Sequence, residues 1–247
     1  MEARGTERNI RTERISPEDR DQITRYLQFE VDQGFTKINP NTTFEKMVDF
    51  RSRQLREGKL QVAIASEGDD LVATSVVVLE NGTMGRDIEK DEAWAGGTVV
   101  REGMRGKGIG ETMAAEQEAI CREAGKNSIL TVIDHDNYPS MRLRMKVGYE
   151  LEGINDNDRV VSYRYRKVLH DNLGDPADRT KLNIGDLSLY DGEINEKSPN
   201  EILLAPGDVE RVRLALENNY RGKQLIRPED STDSERRIEK NLVIFVR

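Results

Sequence analysis

Apolar residues recur along this chain at two spacings, and the switches between them lay out the elements. Residues 8–15 alternate weakly, as a first strand would. Ser16-Pro17-Glu18-Asp19 then reads as a helix start, with Ser16 as cap, Pro17 in the first turn and Asp19 at the capping-box position. Ile23, Tyr26, Leu27 and Val31 line that helix, which should end near Gly34. A loop over 35–41 follows. Thr42 and Glu45 then form a second capping box, opening a helix that carries Phe44, Met47, Val48 and Leu55 and stops at Gly58. Residues 60–65 and 71–79 read as strands, the second rich in Val. After a polar loop, residues 92–100 form another strand, and Gly96-Gly97 inside it predict a bulge or a close ligand approach.

The pattern changes again at Ile109. Ile109, Met113, Ile120, Cys121 and Ala124 share one helical face, and Gly125 supplies the stop. Residues 128–133 are continuously apolar, the mark of a strand buried on both faces. A short helix opened by Pro139 carries Met141, Leu143 and Met145 and stops at Gly148. Strands over 149–153 and 160–168 flank a turn at 155–158. Strand, helix and strand over 94–133 should make a right-handed parallel crossover, with ligand expected where the strand ends meet the helix N-terminus. Beyond Val168 the pattern is weaker. Residues 171–179 read as a linker and 182–190 as a partly alternating segment. A strand follows at 201–205, then a helix from 209 closed by Gly222, a charged stretch at 227–239 and a strand at 242–246. The expected organisation is an α/β domain over residues 1–169 and a small α+β appendage over residues 170–247.

Composition narrows the function classes. The 247 residues carry a net charge of −8, divided evenly on the two sides of residue 169. No basic face stands out, so nucleic acid is not an expected partner. Cys121 is the single cysteine, which excludes an intrachain disulfide, and its place on an apolar helical face makes it core. No cluster with metal-ligand spacing is seen. No apolar run has the length of a membrane span, and the first fourteen residues lack an apolar signal core. The expected location is cytoplasmic, with no membrane partner.

The chemistry concentrates between Val99 and Gly110. Val99 and Val100 end a strand, Arg105-Gly106-Lys107-Gly108-Ile109-Gly110 make the turn, and a helix begins. Glycines let the backbone come close to a ligand at positive φ, and the first N–H groups of a helix have no partner inside it. With Arg105 and Lys107 adding charge, the turn suits a pyrophosphate. A P-loop would need Ser or Thr after Lys107, where Gly108 stands. A dinucleotide fingerprint would need Gly where Met113 stands.

Arg105-x-x-Gly108-x-Gly110 instead resembles the Arg/Gln-x-x-Gly-x-Gly/Ala loop of the GNAT N-acetyltransferase superfamily. The order of elements over 8–169 is similar to that family's fold. Asn137, and Gly148-Tyr149 at the end of a short helix, stand at the family's expected distances downstream. The resemblance implies an acyl-CoA N-acyltransferase fold and acetyl-CoA as cosubstrate. Its pyrophosphate would lie on Arg105, Gly106, Lys107, Gly108, Ile109 and Gly110, its pantetheine on Val99 and Val100, and further contacts would come from Asn137 and Ser140. It implies acetyl transfer to a primary amine, on a small molecule or a protein, by direct attack. Asp91 and Glu92 fall where the family often places the proton-accepting carboxylate, and Tyr138 offers a hydroxyl. The sequence departs from the family at Arg144, where many members have a Tyr that protonates the leaving thiolate. Arg does not release a proton near neutrality, so a non-catalytic acyl-CoA-binding or protein-interaction module is the alternative. The appendage is too small to be stable alone. It is expected to dock on the first domain or on a second copy, which would give a homodimer.

Overall fold

The computed structural model describes residues 9–37, 39–157, 160–169, 190–196, 198–226 and 241–247. The chain divides into two compact units, Met1–Ile129 and Leu130–Arg247. The sequence boundary at residue 169 falls inside the second.

The first unit is built on four antiparallel strands in the order β1-β2-β3-β4. They are β1 (Ile10–Arg14), β2 (Leu60–Glu67), β3 (Asp70–Val78) and β4 (Glu92–Val100). Helices α1 (Arg20–Asp32) and α2 (Phe44–Arg56) precede β2, and α3 (Ile109–Glu123) follows β4. Leu60, Val62 and Ile64 of β2 join Ile23, Leu27, Val48 and Leu55 in one apolar cluster. Leu71 through Val78 are all buried, as expected of a strand covered on both faces; α1 and α3 both pack on it. Cys121 is buried, as its helical face predicts.

Two helix starts differ from the sequence reading. Asp19, not Ser16, caps α1, its carboxylate accepting from Gln22 N–H at 2.9 Å; Ser16 Oγ accepts from Glu18 N–H in the turn before. Thr43, not Thr42, caps α2 by accepting from Lys46 N–H. In both, the acceptor lies three residues before the N–H it receives, the spacing that side-chain capping requires.

The second unit starts within β5 (Ser128–Asp134) and contains α4 (Tyr138–Lys146), β6 (Glu150–Asn157), β7 (Val160–Val168), β8 (Glu201–Leu204), α5 (Val209–Glu217), β9 (Arg221–Ile226) and β10 (Leu242–Val246). The strand order is β5-β7-β6-β9-β10-β8. Asn155, Asp156 and Asn157, expected to turn, remain in β6 and pair with Val160, Val161 and Ser162. Gly222, expected to end a helix, lies in β9 opposite Leu151. Asn219 at φ 65° leaves α5 instead. A Cβ on Gly222 would lie 2.9 Å from Leu151 Cβ and 3.1 Å from Val243 Cγ1, so the strand approach requires glycine there. The expected linker at 171–179, the segment at 182–189 and the charged stretch at 227–239 lie outside the described residues. Among the described residues no helix is long and apolar enough to cross a membrane.

Candidate acyl-donor site and its surroundings

β4 is irregular where the sequence places Gly96-Gly97. Val76 pairs with Gly96 and Thr74 with Val99, so Gly97 and Thr98 together face Ser75. This is a β-bulge, and Gly97 takes φ 57° within it. Gln117 of α3 is buried and donates its Nε2 to both Val76 O (3.1 Å) and Gly96 O (3.2 Å). Those bonds fix the helix to the strands at the bulge. Gly96 has its own reason to lack a side chain, because the Trp94 ring folds across the space its Cβ would fill. The Arg86 guanidinium stacks 3.9 Å from the centre of that ring.

Past the bulge, β4 delivers the chain to the glycine turn. Residues 102–104 make a short 3-10 turn, with Met104 N–H bonded to Arg101 O. Gly106 and Gly108 take φ 75° and 79°. A Cβ at either would meet open space, so backbone conformation, not crowding, selects glycine at both. Gly108 caps α3 without a side chain to satisfy the helix start, and its carbonyl accepts from Glu111 and Thr112 N–H. The N–H groups of Gly106, Lys107 and Gly108 have no backbone partner among the described residues. Those of Ile109 and Gly110 belong to the first turn of α3, where no intrahelical partner exists. A run of unpaired donors at the positive end of a helix dipole is an anion cradle.

The two cations of the turn are held differently. Arg105 donates Nε to Val100 O at 3.2 Å, which ties the turn to the strand end. Lys107 folds its ammonium back onto Gly103 O at 2.6 Å. Val99 is buried. Val99 and Val100 thus lead through this turn into α3.

The carboxylates singled out in the sequence lie at the other end of the same strand. Asp91 and Glu92 stand at the start of β4, five or six residues before Gly97, which is about 15–20 Å of strand. Asp91 is exposed and receives Asn127 Nδ2 at 3.2 Å. Glu92 is 6% exposed and accepts from Glu89 N–H at 3.1 Å.

In the second unit, Asn137 caps α4 by accepting from Ser140 N–H at 3.3 Å, and Tyr138 and Ser140 form its first turn, half-buried. His135 is held to β7 through Nδ1 and Val161 O at 3.1 Å. Arg144 is 4% exposed; it donates Nη1 to the Tyr149 hydroxyl at 3.3 Å and lies 5.0 Å from that ring's centre.

A carboxylate that sequence reasoning missed lies beside the bulge. Gly34, at φ 71°, ends α1 in a left-handed turn, and Phe35 and Thr36 N–H both return to Glu30 O, the usual glycine-terminated cap. That turn folds Thr36 onto Glu30, whose Oε2 receives the Thr36 hydroxyl at 2.7 Å. Glu30 is 2% exposed, and its Oε1 has no hydrogen-bond partner among the described residues. Burial pushes its carboxyl above the usual range; the Thr36 bond, the Arg51 charge and the Tyr26 hydroxyl beside it oppose the shift. Burial likewise raises the neighbouring Tyr26 phenol. No group of three or more His, Cys, Asp or Glu placed to hold a metal occurs among the described residues.

Residues 27–149 match the sequence model of the Acetyltransferase (GNAT) family. No curated protein matches the chain. Among solved structures, the GNAT-family acetyltransferase of Streptococcus pneumoniae is 14% identical and covers 66% of this chain and all of its own, with TM-score 0.52. Protein yncA of Salmonella typhimurium, solved with its cofactor acetyl-CoA, is 14% identical and covers 68% of this chain and 98% of its own, with TM-score 0.51. Spermidine N-acetyltransferase SpeG of Vibrio cholerae is 10% identical and covers 65% of this chain and 94% of its own, with TM-score 0.53. At these identities the likeness is one of fold, the mixed α/β arrangement expected from the sequence.

Proposed function

The chain carries an acetyltransferase domain of the GNAT family over residues 27–149, and from that premise we propose that it moves an acetyl group from acetyl-CoA to a primary amine. The observation that supports this best is the cradle at Gly106–Gly110. Two left-handed glycines leave consecutive N–H groups unpaired at the start of α3, where a pyrophosphate gains several charge-assisted hydrogen bonds at once. Arg105 and Lys107 add positive charge, and Val99 and Val100 would hold the pantetheine along the end of β4. The amine attacks the thioester carbonyl directly. The new C–N bond replaces the C–S bond, and the sulfur leaves as thiolate. A free thiol of this kind has a pKa of about 8.5, so the thiolate departs without a strong acid beside it. The negative charge on the carbonyl oxygen needs a fixed donor, and a backbone N–H at the bulge would supply it.

Arg144 favours the second reading, a non-catalytic acyl-CoA-binding or interaction module. It stands where the family resemblance would put a proton-donating Tyr, and its guanidinium is engaged with Tyr149. Titration calorimetry and a turnover assay separate the two. The expected result is acetyl-CoA binding in the micromolar range, with CoA released when amines are added. Binding without release toward a broad set of amines would select the module. A folded chain that binds no acetyl-CoA would overturn both.

A further inference from the structure

β1 is the outermost strand of the first unit, and its edge carries a charge pattern of its own. Ile15 N–H donates to Val62 O at 2.9 Å. The register from Arg14↔Ala63 back to Ile10↔Glu67 continues from that pair without a shift. In an antiparallel ladder every second residue turns its N–H and C=O toward the neighbouring strand. Arg11, Glu13 and Ile15 therefore face β2, and Ile10, Thr12 and Arg14 turn their backbone groups outward. Those outward groups have no backbone partner among the described residues. The side chains alternate as well. Arg11 and Glu13 share one face, joined from Nη2 to Oε2 at 2.9 Å, and Gln22 Nε2 of α1 holds Glu13 Oε1 at 3.1 Å. Arg14 lies on the other face, held by Glu116 and Glu123 of α3. The Arg11 side chain is 78% exposed, so it can be reached from beyond the edge. Proteins commonly blunt an open edge with charge. Here the two charges of one face are opposite in sign and two residues apart, so the strand is complementary to itself when reversed.

We propose that β1 pairs with β1 of a second copy of this chain, antiparallel about a two-fold axis at Thr12. Such an interface is isologous, so each contact off the axis occurs twice. In this register the two Thr12 residues exchange N–H···O=C bonds, and Ile10 exchanges them with the partner's Arg14. Every outward backbone group of the strand is then used. Arg11 stands directly opposite the partner's Glu13 at a non-hydrogen-bonded position, where facing side chains come closest. Ile10 lies opposite the partner's Arg14 and covers the apolar stem of that side chain. The charges also reject the neighbouring registers. An axis at Arg11 would set Arg11 against the partner's Arg11, and an axis at Glu13 would set Glu13 against the partner's Glu13. Like charges directly opposite destabilise a ladder. Thr12 is the centre that pairs opposite charges twice and uses the whole strand. One strand edge lies at the small end of interface sizes, so the pairing depends on concentration, with monomer near about 1 µM and dimer above about 100 µM. None of this depends on the acyl-donor reading.

Sedimentation velocity on the full chain across that range reads the association, and circular dichroism checks the fold of each variant. Arg11→Glu and Glu13→Arg each turn both cross-strand pairs into like-charge contacts and should weaken self-association by about tenfold or more. Mixed in equal amounts, the two variants regain opposite charges at both positions and should sediment together as a dimer. The double variant Arg11→Glu/Glu13→Arg should dimerise by itself for the same reason. Thr12→Pro removes an N–H that points away from β2, the edge position at which a strand tolerates proline. It should abolish the dimer with no change of charge, and it gives an independent reading if Glu13→Arg does not fold. Raising the salt to about 1 M should weaken the parent's pairing. A parent that stays monomeric above about 100 µM overturns the proposal. So does a dimer that survives Arg11→Glu and Thr12→Pro, which would place the interface elsewhere on the chain. Single variants that are folded and monomeric alone, and remain monomeric when mixed, overturn the register and the proposal with it.

Discussion

Gly108→Asp is expected to abolish measurable acetyl-CoA binding while leaving the fold in place. Gly108 stands at φ 79° and ψ −7° as the N-cap of α3. A side chain there meets no atom within 4 Å, so the fold has room for it. The backbone cost of a left-handed non-glycine residue is about 1–2 kcal/mol, and Asp is among the residues that bear it best. The introduced carboxylate would sit over the same unpaired N–H groups that the pyrophosphate needs and would bond them itself, as an N-capping Asp does. It also sets a negative charge against a doubly charged group. Loss of two charge-assisted hydrogen bonds at about 1.5–3 kcal/mol each is at least about a hundredfold in Kd. Calorimetry and circular dichroism decide it together. Gly108→Ala, with the same backbone strain and no charge, should bind at an intermediate Kd. Unchanged binding by a folded Gly108→Asp variant would place the phosphates somewhere other than this turn.

Truncation after Leu169 is the second large effect. The strands that follow residue 200 extend the sheet of the second unit outward from β6, through Leu151 and Gly222. The buried Tyr163 hydroxyl donates to Pro206 O, and Met145 Cε of α4 approaches Gly222. Removing residues 170–247 therefore uncovers one edge of β6 and leaves a buried phenol without its acceptor. The orphaned phenol alone costs about 1–3 kcal/mol, which at about 2–4 °C per kcal/mol for a chain of this size predicts a melting point lower by about 2–12 °C. The open β6 edge should also make the fragment self-associate. The acyl-donor turn lies wholly within residues 99–110, so acetyl-CoA should still bind. Calorimetric melting and light scattering provide the measurements. A fragment that melts with the full chain and stays monomeric would make 170–247 an independent domain. A fragment that does not fold would remove the boundary at residue 169 altogether.

The order of strands and helices through residue 168 was legible because nearly every element carries its own period and stop. The glycine turn was legible because φ above zero and a helix start leave a residue-level signature in Gly106, Gly108 and Gly110. Gly96-Gly97 announced a bulge for the same reason. Glu30 was not legible. It is one acidic residue on an amphipathic helix, and its burial depends on a turn at Gly34 that folds Thr36 back over it. β9 was missed because Arg221-Gly222-Lys223-Gln224 looks like a polar helix end. Only the close approach of Leu151 and Val243 explains a glycine there. The caps at Asp19 and Thr43 were misplaced because several adjacent residues could fill each role, and the choice depends on which N–H the fold leaves exposed.

The strand order at the far side of the second unit has a consequence for how it assembles. β8 and β9 are joined by a single short helix, yet they do not pair with each other; β10 lies between them and hydrogen-bonds to both. Until residues 242–246 arrive, two strands stand with unsatisfied edges and a slot one strand wide. The pairings with β10 reach back along the chain from Leu242 to Ile226 and from Val243 to Leu204. Such non-local closure slows folding through its loop entropy and prolongs exposure of sticky edges. The residues around the slot, Leu203, Ile226, Leu242 and Ile244, form a small apolar cluster of their own, which is what draws the last strand into place once it is available.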